Sequence, residues 1–122
     1  VDSCLSKNKK KTINILNENN YTLEDCILII RTFLMKSKRL IRLRKEFLKT
    51  KNIDLTISSS KPTIFWKDKE IVKQQLKSWS LNEAERLTYQ INKIELLIKK
   101  HNNNSISILF DFIIETASPI NS

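Results

Sequence analysis

The chain has one histidine, His101, set in the polar run "KKHNNN" with no carboxylate near it in sequence. An imidazole working as a general base needs a group to activate and a partner to orient it, and neither stands close by. His101 therefore reads as a solvent-exposed residue near a helix C-terminus, where positive charge is favoured. The 13 acids are scattered and look like helix-surface or first-turn residues. Cys4 and Cys26 lie far apart and lack partners at metal-ligand spacing, so two buried or half-buried thiols in a reducing cytoplasm are expected. No catalytic residues, metal ligands or cofactor are assigned.

The aromatics offer more. The stretch "KPTIFWKDKEIVKQQLKSWSL", residues 61–81, holds both tryptophans, Trp66 and Trp79. Phe65 and Trp66 are consecutive, and helical neighbours do not share a face, so at least one should be partly exposed. An exposed aromatic beside ammonium groups, here Lys67 and Lys69, can stack on an unpaired base for roughly 1–3 kcal/mol. The plainer alternative is a Trp covering a subunit contact or the loop before it. Trp79 falls at a helix junction on the Val72–Leu76 stripe, just before a capping serine, and reads as a core anchor.

Glycine is absent. A phosphate-cradling loop needs it for positive φ and close backbone approach, so neither a P-loop nor a dinucleotide fingerprint is present. Left-handed helix C-caps must use other residues, and the asparagine clusters Asn17–Asn20, Asn52 and Asn102–Asn104 fall where such caps are expected. The net charge of +9 suits nucleic acid or an acidic partner. Lysine outnumbers arginine amid abundant Ile and Asn, the mark of an AT-rich genome, so codon drift accounts for part of that charge. With 40% apolar and 29% charged residues, 122 residues form one globular domain. Its longest apolar stretches are about half the roughly 20 residues a membrane span requires. The first residues contain no apolar signal core, and without an initiator methionine the chain reads as a fragment of a longer one.

Apolar spacing predicts five helices in an all-α bundle. The first covers roughly Ser3–Leu16. A second, opened by Thr22 with Asp25, runs to about Thr50, roughly 40 Å. Its stripe is Phe33, Leu40, Ile41, Phe47 and Leu48. On another face Lys38, Arg42, Lys45 and Lys49 align; a solvated surface is the favoured reading, a nucleic-acid or acidic-partner contact the alternative. Residues 51–63 are expected to be loop, stopped by Pro62. A third helix spans about Trp66–Ser78. The fourth opens with the Ser80–Glu83 capping box and runs to about Lys100. The fifth, Ser105 to about Thr116, is apolar on nearly every face, which calls for central burial or burial against another chain.

Residues 62–100, "PTIFWKDKEIVKQQLKSWSLNEAERLTYQINKIELLIKK", resemble the C-terminal domain of the delta subunit of bacterial DNA polymerase III, a clamp-loader component. The matching elements are Pro62, the pair Phe65 and Trp66, Lys67, Gln75 and Leu76. The junction Trp79, Ser80 and Leu81 follows, then Glu95, Leu96 and Lys99. "FLMKSKRLIRLR", Phe33–Arg44, resembles the family's long second collar helix. The resemblance covers about residues 20–116 and rests on order and spacing rather than one diagnostic motif.

That resemblance implies a collar domain in the bacterial cytoplasm, at the replisome. Its partners would be the delta-prime and ATPase tau/gamma subunits, and it would assemble the loader that places the sliding clamp on DNA. The clamp itself would be touched by domains N-terminal to this one. Such a subunit has no ATPase and belongs to a nucleotidyltransferase only at the level of the holoenzyme. Phe110, Phe112, Ile114, Arg42 and Lys45 become candidate subunit contacts. Trp66, Lys67, Lys69, His101 and Asn102 become candidate contacts to template single strand. The alternative function is a free-standing basic helical module that binds nucleic acid.

Overall fold

The computed structural model describes residues 1–118, which form seven helices: α1 (Asp2–Leu5), α2 (Lys9–Glu18), α3 (Leu23–Thr50), α4 (Ile53–Ser58), α5 (Lys69–Ser78), α6 (Leu81–Lys100) and α7 (Ser105–Ala117). Short 3-10 turns at Trp66–Asp68 and Asn102–Asn104 precede α5 and α7, and no strand occurs among the described residues.

The long helix α3 organises the bundle. The Thr22 hydroxyl accepts the Asp25 backbone N–H at 3.2 Å, and the Asp25 carboxylate accepts the Thr22 N–H at 2.9 Å, so the predicted start closes reciprocally. The inner stripe of α3 is Cys26, Ile30, Phe33, Ser37, Leu40 and Leu43. Leu48, also read into the stripe, is 60% exposed. It shares the face of the buried Ile30, a whole number of turns farther on, so what it lacks is cover near the end of α3.

Helix α6 begins at the second predicted box, Ser80 with Glu83, and buries Ala84, Leu87, Ile91 and Ile98. Thr88 donates to Ser37 at 3.0 Å midway along α3, while Arg44, farther along α3, donates to the Leu76 carbonyl just before α6. The two helices therefore run antiparallel. Helix α7 closes the core through Leu109, Phe112 and Ile113, with Phe112 meeting Phe33 edge to face at 5.7 Å. Its all-round apolar sequence is largely spent on this central position.

Three sequence expectations are corrected. The first predicted helix is two, because the Asn8 side chain accepts the Lys11 backbone N–H and caps a new helix, while Lys7 turns the chain at φ 60°. Residues 51–63 are not all loop: Asn52 caps α4 by accepting the Leu55 N–H at 3.1 Å, and burial of Ile57 holds it in place. Asparagine also does not supply the left-handed caps. Lys51 does so at φ 57°, because Asn52 is engaged one residue later as an N-cap.

Candidate nucleic-acid interface and docking faces

Phe65 and Trp66 precede α5, where Pro62 and an extended Phe65 keep the chain from entering the helix early. Both rings stand in solvent; Trp66 is 69% exposed. They lie 5.9 Å apart at 53°, and the Lys67 ammonium sits 5.4 Å from the Trp66 ring centroid. Lys69 follows as the first residue of α5. This is an accessible π-face with one ammonium beside it, an arrangement a stacked base would use.

His101 and Asn102 are exposed at the far end of α6, in the turn packed on α6 and α7. The antiparallel pairing carries that turn toward the Thr22 end of α3. Trp66 belongs to the other end: α5 is tied to α4 by Lys73–Asp54 at 3.1 Å, and α4 follows the C-terminus of α3. The fold thus sets Lys67 beside Trp66, places Lys69 with Asp54, Leu55 and Lys73 between α4 and α5, and leaves His101 and Asn102 apart from them.

The candidate docking residues divide similarly. Phe112 is 8% exposed and packs in the core. Phe110 and Ile114 are half-buried, with Phe110 edge-on to Tyr21 at 5.4 Å. Arg42 and Lys45 stand exposed on the outer face of α3. Uncovered apolar side chains occur at Leu28 and Met35 on α3, Leu96 on α6 and Ile106 on α7.

Sequence reasoning missed a cleft of about 490 Å³ along α6. Trp79, Leu87, Ile94, Leu97 and Phe112 form its apolar wall, and Lys7, Glu83, Arg86, Lys93 and Glu115 its charged rim. The Lys7 ammonium lies 3.9 Å from the Trp79 ring centroid. Burial lowers its pKa, and the nearby Glu83 carboxylate opposes that shift. The signal available in sequence was Leu87, Ile94 and Leu97 on one edge of α6, wider than one core stripe requires. The cleft needs α7 and the Lys7 turn to form, and both come from distant sequence.

Among the described residues no cluster of His, Cys, Asp and Glu could hold a metal ion. Burial raises the Cys4 thiol pKa to about 12, unsuited to nucleophilic work. No helix among the described residues is long and apolar enough to cross a membrane. Comparison with protein-family models, curated proteins and solved structures finds no match to this chain.

Proposed function

We propose that the chain is a helical assembly domain of the clamp-loader delta type, docking on sister subunits of a replicative loader in the bacterial cytoplasm. The observation that carries this reading is the pattern of exposure. Leu28, Met35, Leu96 and Ile106 are left uncovered on three helices around a core that is already complete. Single exposed apolar side chains are ordinary on a protein surface, so these four mark a docking face only in combination with the residue order. The residue order that resembles the delta collar points to that partner class: delta-prime and the ATPase tau/gamma subunits, acting together to load the sliding clamp.

The test is to mix the purified chain with those loader subunits and measure the mass of the complexes by light scattering. The reading expects a complex that Ile106→Asp weakens at least tenfold while the chain's melting temperature stays the same. A chain that stays apart from every loader subunit overturns it.

The Trp66–Lys67 pair favours a second reading, a basic module that grips single-stranded nucleic acid. Trp66→Ala should weaken single-strand affinity by roughly 1–3 kcal/mol if a base stacks there. It should leave stability within about 0.5 kcal/mol, because the ring packs on no core. Unchanged affinity makes Trp66 a surface residue only.

A further inference from the structure

Helix α3 carries an unusual charge segregation. Between Asp25 and Glu46 it contains no acid, while Arg31, Lys36, Lys38, Arg39, Arg42, Arg44 and Lys45 all fall in that interval. Four of the chain's five arginines are here. Codon drift toward lysine does not produce a cluster of arginines, so the composition of the whole chain leaves this segment unexplained.

The fold sorts these cations by task. Lys36 turns inward to the Asp2 carboxylate at 2.7 Å, and Arg44 reaches the Leu76 carbonyl. Arg31, Lys38, Arg42 and Lys45 are exposed, and none forms an ion pair among the described residues. Lys49 continues the row, with Glu46 only distantly against it at 4.0 Å. The steps from 31 to 38, 42, 45 and 49 keep all five on one side of a 3.6-residue helix, opposite the buried stripe. At 1.5 Å per residue the row is about 27 Å long. Helix α6 shows the usual contrast, with Glu95 and Lys99 paired at 2.8 Å.

We propose that this outer face of α3 binds the phosphate backbone of duplex nucleic acid without reading its sequence. A straight, rigid row of cations matches a regular array of phosphates, and arginine forks suit phosphate oxygens. An α-helix also fits the roughly 12 Å major groove, where phosphates flank it. The row contains no aromatic to stack an unpaired base, which sets it apart from the Trp66 site and favours duplex over single strand. The proposal does not rest on the clamp-loader reading, which is tested by subunit association. The two share this face, however: Met35, Arg42 and Lys45 stand on it, so a subunit docked there would exclude duplex.

The experiment measures binding of the purified chain to a fluorescent mixed-sequence duplex of about 20 base pairs, between roughly 50 and 200 mM salt. Four phosphate contacts give a slope of log affinity against log salt of about −3.6. Replacing Arg31, Lys38, Arg42 and Lys45 together by Gln should remove most of that slope and at least tenfold of the affinity at the lowest salt. A control removes the same charge elsewhere, as Lys9→Gln, Lys10→Gln, Lys11→Gln and Lys100→Gln, and should keep most of the slope. If the quadruple variant fails to fold, Arg42→Gln and Lys45→Gln should each lower the slope by about 0.9. Equal losses in the control, preference for single strand, equal competition by polyglutamate, or no duplex binding would each overturn the proposal.

Discussion

The Trp79 indole N–H donates to the Leu5 carbonyl at 2.8 Å, joining α1 to the α5–α6 junction across 74 positions of sequence. Leu5 is the last residue of α1, so its carbonyl has no partner within its own helix. Trp79 supplies the donor while its ring, 7% exposed, fills the core and receives Lys7 on one face.

Trp79→Phe keeps most of the packing and removes the donor. Leaving the buried Leu5 carbonyl unsatisfied should cost roughly 1–3 kcal/mol. Trp79→Ala adds a cavity and should cost about 3–5 kcal/mol. Urea unfolding followed by circular dichroism measures both. A Phe variant as stable as the parent would show that the hydrogen bond contributes nothing net.

Asp2 gives the fold a pH dependence. Burial by itself raises the pKa of its carboxyl, but hydrogen bonds from Lys36 Nζ and Gln75 Nε2, with the Lys36 charge, outweigh burial and hold it below its ordinary value. A depressed folded-state pKa means that the unfolded chain binds the proton more tightly. The contribution is therefore complete above the unfolded carboxyl value near 3.8 and is lost as pH falls through the folded value. Asp2→Asn should be less stable than the parent at pH 7, and the gap should narrow as pH drops from about 5 to 2. Thermal melts across that range check it; a constant gap would assign the loss to packing.

Lys51 occupies the left-handed region at φ 57°, a geometry that costs a side chain with Cβ more than it costs glycine. Its side chain is exposed, so removing it sacrifices little. Lys51→Gly should raise stability by roughly 0.5–1 kcal/mol, the reverse of glycine's usual effect. The midpoint of denaturant unfolding reads this directly, and a lower midpoint would mean that unfolded-state entropy outweighs the relief of strain.

Much of this fold is legible residue by residue. Thr22 with Asp25 and Ser80 with Glu83 announce two helix starts because a capping box is local chemistry, complete within four residues. The core role of Trp79 follows from helical spacing, which is local too. The same spacing calls for at least one of Phe65 and Trp66 to be exposed, and both are, because Phe65 stands before the helix. Asn8 and Asn52 were harder. The same side chain serves a helix end or a helix start, and which one depends on whether the next apolar residues find a core to join.

Sequence by itself determined the α-helical class, the long α3 with its cationic outer face, and the lack of any glycine-built phosphate loop. Periodicity and the glycine count are properties of the chain before it folds. Tertiary structure alone decided that His101 and Trp66 occupy opposite ends, that Lys7 rests on Trp79, and that a cleft opens beside α6. Those relationships depend on how helices cross and which ends meet. Packing between distant segments sets both, and no local pattern of residues encodes it.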